Sequence, residues 1–216
     1  MNNIIGIMIS VGYVFVIIGV LYFIREKTNI ALMYRRKIIH ISIANWWIIA
    51  MIFFDNVIYA SIIPLILLIL NYASTKIKIL EEVDEVGTSY GTIYYPLSML
   101  ILVILFFGFI KAPYIGLVGA MIMGYGDGFA GLVGQLFGKY KHSFHKTWIG
   151  SMVMFGISFI ITLTVAFIYQ TPNMLFSAVL VALLATLLEA VGDKGIDNLT
   201  VPIASSCLFF LIQLLS

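Results

Sequence analysis

The chain has 216 residues, 62% of them hydrophobic and 10% charged, with a mean hydropathy of +1.10. Water-soluble domains carry roughly 25% charged residues, so an ordinary soluble domain is excluded, and a disordered chain is excluded by the same figures. The net charge is only +2, and the single cysteine, Cys207, rules out an intramolecular disulfide.

What remains is an integral membrane protein. Apolar runs lie at 4–24, 38–54, 57–73, 91–110, 113–133, 149–169, 174–191 and 199–215, separated by Pro, Gly, Asn or charge clusters. A spanning helix needs about 20 apolar residues, so the shorter runs sit at the lower limit and the count is seven to eight. Backbone inside lipid must satisfy its own hydrogen bonds, and long apolar runs choose helices over barrel strands. The expected fold is therefore all-α, a polytopic membrane helix bundle forming one domain over 1–216. The first run follows MNNII, without the basic region and cleavage site of a signal peptide, and is read as a retained helix.

Between the runs, Lys and Arg fall almost entirely on one face. Connection 25–37 holds Arg25, Lys27, Arg35, Arg36 and Lys37; 74–90 holds Lys76 and Lys78; 134–148 holds Lys139, Lys141 and Lys146; and 192–198 holds Lys194. Lys111 alone falls opposite. The excess of basic residues marks the cytoplasmic side, which puts the N-terminus outside. The acidic residues divide the same way, with Asp55 opposite Glu26, Glu81, Glu82, Asp84, Glu85, Asp127, Glu189, Asp193 and Asp197. A transport path would place ionisable groups near the midplane, whereas here they gather at one interface.

Taken in chain order, the first candidate cluster is Arg35-Arg36-Lys37-Ile-Ile-His40, where Arg36 or Lys37 and His40 are three or four apart and share a helix face. Its basic residues also suit a membrane anchor, and a lone His inside an apolar run also suits packing. The second, Gly87-Thr-Ser-Tyr-Gly91-Thr-Ile-Tyr-Tyr-Pro96, offers hydroxyls at the same interface or an aromatic belt. In the third, Asp127, Ala130, Gly134 and Gly138 recur at three and four and form one stripe of a helix. The glycines alone suit close helix packing. Asp127 does not, because a carboxylate in an apolar segment is expensive unless it is paired, binds metal or takes part in catalysis.

The following connection supplies Lys139, Lys141, Lys146 and Thr147, a set of ammonium groups and a hydroxyl suited to a polyanion such as a nucleoside triphosphate, or to lipid headgroups. Gly126-x-Gly128-x2-Gly131 matches a dinucleotide pattern but lacks the preceding strand that pattern needs, and the phosphate-loop pattern is absent. Near the C-terminus, Glu189, Asp193 and Asp197 supply hard oxygen ligands of the kind that hold magnesium together with substrate phosphates, and acidic residues here also suit a solvated interfacial loop.

The run Asp127-x2-Ala130-x3-Gly134-x3-Gly138-x2-Lys141-x4-Lys146-Thr147-x2-Gly150 resembles the CTP-binding signature of the polyprenol kinase family, which includes dolichol kinase, phytol kinase and a CTP-dependent diacylglycerol kinase. Arg36-Lys37-x2-His40, Gly91-Thr-Ile-Tyr-Tyr-Pro96, Glu189 and Asp197-Asn198-x3-Pro202 look like further landmarks in the same order, so the resemblance covers about residues 35–205. Trp148-Ile149 departs from the dolichol kinase pattern, and the length is closer to a minimal phytol-kinase-like core.

The resemblance implies transfer of the γ-phosphoryl group of CTP to a membrane isoprenoid alcohol, or to diacylglycerol, with Mg2+ as cofactor and no nucleic-acid partner. It implies catalytic roles for Asp127, Lys146 and His40. Nucleotide binding would fall to Ala130, Gly134, Gly138, Lys141, Lys146, Thr147, Gly150, Arg36 and Lys37, and metal binding to Asp127, Glu189, Asp197 and Asn198. A phosphatidate cytidylyltransferase-like activity, which would attack the α-phosphate, is the enzymatic alternative, and a small transporter the non-enzymatic one. The expected location is a prokaryotic cell membrane with the active face cytoplasmic.

Overall fold

The computed structural model describes residues 2–27, 31–77, 90–141 and 146–216. The charged positions Lys78, Glu81, Glu82, Asp84 and Glu85, the residues Gly87-Thr-Ser and His145 lie outside them. The described chain is a polytopic helix bundle: α1 (Asn3–Lys27), α2 (Leu32–Phe53), α3 (Val57–Ile77), α4 (Gly91–Val103), α5 (Pro113–Met121), α6 (Gly128–Phe137), α7 (Trp148–Ile168), α8 (Met174–Val191) and α9 (Asp197–Leu214). A π-helical segment, Ile104–Phe109, prolongs α4, and another, Ile122–Asp127, joins α5 to α6. Counting each prolonged helix once, eight helices among the described residues are long and apolar enough to cross a membrane.

The apolar runs locate all eight, but several boundaries move toward the charges: α1 runs to Lys27 rather than 24 and α3 to Ile77 rather than 73. α2 begins at Leu32 rather than 38, α9 at Asp197 rather than 199, and the fifth span runs to Phe137 rather than 133. Arg35, Arg36, Lys37, Asp197 and Asn198 are therefore helical, not parts of connections. An apolar run ends where hydropathy falls, whereas the backbone goes on because long charged side chains can lie along an apolar helix with their heads at its polar end.

The core is apolar and close-packed around Trp47, Met99, Leu102, Phe106, Ile122, Met123, Met154 and Phe209, all fully or almost fully buried. Large hydrophobic side chains are also exposed on the outer faces, among them Phe15, Phe109, Phe167 and Leu175. In water this would be an aggregation surface, but around a bundle set in lipid it is the expected coat. The fifth span sits at the centre. Its first half, α5, packs on α9, where the Gly119 N–H donates to Ser206 Oγ at 3.0 Å. Its second half, α6, packs on α7.

Candidate functional site: a charged cleft at one end of the bundle

Asp127 closes the π-helical segment and is buried, 4% exposed. A π turn inserts an extra residue into the helical repeat and is often found at functional positions. Here it turns the carboxylate toward α2. The approach of α2 is close because small residues meet it: a Cβ at Gly124 would run into Ala44, and one at Gly131 would lie 2.7 Å from Cε of Lys37. Lys37 passes over Gly131, and its Nζ donates to Asp127 Oδ2 at 2.6 Å and to the Asp127 carbonyl at 3.4 Å. His40, one turn further along α2, brings Nδ1 to 3.9 Å from the same carboxylate oxygen. Tyr95 of α4 stacks on the imidazole, ring centroids 4.6 Å apart, and its hydroxyl donates to the His40 carbonyl at 3.0 Å.

The second charge group gathers round Lys146. Its Nζ donates to Glu189 Oε1 at 2.7 Å and to Asp197 Oδ2 at 3.3 Å, joining the end of α8 to the start of α9. Burial alone would push this ammonium down, but Glu189, then Asp197 and Asp127, more than reverse that and hold it above the ordinary lysine range. Glu189 Oε2 and His40 Nδ1 are buried with no hydrogen-bond partner among the described residues. Such atoms are costly unless a ligand completes them. Asn198 is spoken for on one side, since its Nδ2 donates to the Gly91 carbonyl at 2.9 Å and ties α9 to the start of α4.

Two adjoining cavities share Lys37, Asp127, Gln135 and Lys146. One, of about 370 Å³, is closed by Arg36, His40, Asp197, Asn198 and the turn 192–195. The other, of about 470 Å³, is lined by Ala130, Gly134, Gly138, Lys141, Thr147, Gly150 and Glu189. Every residue to which the family resemblance assigns a nucleotide, metal or catalytic role thus borders one of the two, whereas Lys139 is in neither lining.

Three features of their arrangement go beyond the spacing in the sequence. Asp127 and the Ala130–Gly134–Gly138 stripe line the same cavity. The stripe also meets α7, where a Cβ at Gly134 would lie 2.7 Å from Thr147 Oγ1 and one at Gly150 3.0 Å from the Ala130 carbonyl, so these small residues serve helix packing while their edges border the cavity. Gly131 and Gln135, which follow Asp127 at a spacing of four, line that cavity beside Lys37. Thr147 is the N-cap of α7, its Oγ1 accepting from the Gly150 N–H at 3.2 Å; this leaves its hydroxyl proton for another acceptor. The carboxylates, finally, divide into Asp127 on Lys37 and Glu189 with Asp197 on Lys146, and no three His, Cys, Asp or Glu side chains among the described residues are grouped closely enough to hold one metal ion. Lys141 is exposed and bridged to Thr147 through the backbone.

Gly131, Gln135 and Tyr95 were missed as site residues. A helical wheel anchored on Asp127 at a spacing of four would have found the first two, while nothing in the sequence pairs Tyr95 with His40.

Among known proteins, the chain is similar to a phytol kinase of Synechocystis, 34% identical over 184 residues that cover 79% of this chain and 76% of that protein. A probable chloroplastic phytol kinase of Oryza sativa is 31% identical over 82% of this chain and 63% of its own length. Phytol kinase 1 of Arabidopsis thaliana, also chloroplastic, is 26% identical over 79% of this chain and 63% of its own. The matches thus span less than two thirds of these plant relatives. No family profile and no solved structure matches the chain.

Proposed function

This chain belongs to the polyprenol kinase family, and from that premise we propose that it is a lipid-alcohol kinase that transfers the γ-phosphoryl group of CTP to a membrane isoprenoid alcohol of the phytol type. The observation that carries the reading is the cleft itself: two lysines, each held by buried carboxylates, at one end of an otherwise apolar bundle. Phosphoryl transfer asks a protein mainly for positioning and charge neutralisation, and these groups supply both.

In the proposed reaction Lys37 and Lys146 turn from carboxylates to phosphate oxygens, helped by Arg36 and Lys141. Glu189 and Asp197 are freed to hold Mg2+, with Asn198 as a further oxygen ligand. The fit is supported by the unpartnered Glu189 Oε2, and two carboxylates suffice because magnesium completes its shell with phosphates and water. When bound, the ion neutralises the charge developing on the phosphates. The alcohol oxygen forms a bond to the γ-phosphorus, the bond from that phosphorus to the β–γ bridging oxygen breaks, and CDP leaves with the electron pair. Asp127, released by Lys37, takes the hydroxyl proton, with His40 beside it. The cleft faces the cytoplasm, since the basic connections lie at its end of the bundle.

The test is to incubate membranes containing the protein with CTP labelled at the γ position and, separately, at the α position. Entry of the γ label alone into extracted lipid is expected. Entry of the α label would replace the kinase by a cytidylyltransferase, and entry of neither would remove CTP as the donor.

A further inference from the structure

A third cavity opens beside the cleft, between α1, α2, α3 and α4. Its walls are apolar, with Tyr13 and Ile17 from α1, Ile43 from α2, Leu67 from α3 and Met99 from α4, and Trp46 closes its far end. Two of its lining residues, Arg36 and His40, also line the charged cleft. The slot therefore adjoins the polar site at the imidazole that lies 3.9 Å from Asp127. It is small: about 40 Å³ is open to water-sized groups, against about 370 Å³ and 470 Å³ in the two charged cavities. Its outer wall is a single helix, α1, which fully buries only Gly6, Ser10 and Leu21 and has Tyr13, Val14 and Ile17 half-buried against the slot.

We propose that this slot is the seat of the acceptor's head end, and that its small free volume selects a single-chain alcohol over diacylglycerol. The inference rests on the kinase reading and adds to it the place and shape of the acceptor. The first isoprene unit enters the slot, the hydroxyl meets His40 with Asp127 behind it, and the remaining tail passes between α1 and α3 into the bilayer. A glycerol carrying two acyl esters on adjacent carbons branches immediately behind its hydroxyl and needs more room there than a single chain. Tyr95, stacked on His40 and bonded to its carbonyl, is a positioning residue that holds the imidazole at the junction.

Two measurements test this on the intact protein in lipid nanodiscs. In the first, geranylgeraniol carrying a diazirine near its hydroxyl end is photolysed, with and without excess phytol. Phytol-sensitive labelling of α2 and α4 around Ile43 and Met99 is expected. Labelling of the opposite groove at Val57, Ile62 and Phe109, or spread over the lipid-facing surface, overturns the seat. The result is independent of turnover, so it judges the slot even if CTP proves not to be the donor.

The second measurement is kinetic. Met99→Phe, with Leu67→Phe at a half-buried position as the variant more tolerant of added volume, is expected to raise KM for phytol about ten-fold while KM for CTP stays put. Ile62→Phe in the opposite groove serves as the control. An unchanged KM for phytol in both slot variants, or wild-type turnover of diacylglycerol equal to that of phytol, overturns the proposal while leaving the kinase reading intact. Failure of the wild type to phosphorylate any alcohol removes the kinase reading instead.

Discussion

The end of the bundle where α1 begins and the end where α2 begins use the same kinds of polar group to different effect. At the first, the contacts are mostly neutral and are exposed or part-buried. Asn3 Nδ2 donates to Asp55 at 2.7 Å, the indole of Trp47 to the Pro113 carbonyl at 2.9 Å, Tyr114 to Gln213 at 2.9 Å and Asn173 to Ser216 at 2.8 Å. Each ties one helix end to a neighbour. At the other, charged groups from α2, the π turn, the approach to α7, α8 and α9 converge on one cleft and leave buried atoms unpartnered. The carboxylates illustrate the contrast. Asp55 is fully exposed, and its hydrogen bond from Asn3 draws its pKa down, whereas Asp127 is buried on an ammonium. Taking a pair of charges out of water costs energy that the pairing often fails to return. Several such charges collected at one end are an arrangement for chemistry, and a single exposed carboxylate at the other is an arrangement for stitching.

This contrast can be broken by substitution, and the largest effect is expected at Asp127. Asp127→Asn should lower phosphoryl transfer by about 10²-fold or more, the scale lost when a group that acts on the transition state is removed, with retention time in detergent chromatography unchanged. A variant with full activity would reduce Asp127 to a packing residue. Glu189→Gln comes next: roughly ten-fold or more should be lost at limiting Mg2+ and partly recovered as the metal is raised, read from a magnesium titration of the rate. An unaltered titration would take Glu189 out of the metal site.

Lys146 gives a test through pH. Its pKa is raised, so whatever its ion pairs add to stability is fully present below the ordinary lysine pKa of about 10.4 and lost only as pH climbs through the higher folded value. The difference in melting temperature between wild type and Lys146→Met should therefore stay constant from pH 7 to 9. A difference that shrank over that range would mean the ammonium titrates within it. The smallest effect belongs to the opposite end, where Asp55→Asn should leave turnover unaltered and the melting temperature hardly moved, as expected of an exposed contact. A loss of activity there would dissolve the distinction between the two ends.

Much of this was legible before any coordinates. Eight apolar runs placed eight helices, and the charges between them singled out the residues that border the cleft. What could not be read is long-range. Lys37 meets Asp127 across 90 positions, and Lys146 meets Glu189 and Asp197 across 43 and 51; no local pattern records which lysine takes which carboxylate. The small residues of α6 mark a helix contact without recording its partner: Gly134 lies against Thr147 at the start of α7, and Gly131 against Lys37 of α2. The π turn ahead of α6 leaves no compositional trace, because Ile122-Met-Gly-Tyr-Gly-Asp127 would also read as ordinary helix.

That turn makes the fifth span mechanically two rods joined out of phase. One added residue in a repeat of 3.6 rotates all that follows by about 100°, so α5 can present Gly119 to α9 while α6 presents Gly134 to the start of α7. Loss of a single residue within 122–127 would swing Asp127 off the face met by Lys37 while leaving the span long enough to cross. The alignment of base and lysine is thus a matter of angular phase, set by one surplus residue in the middle of the bundle.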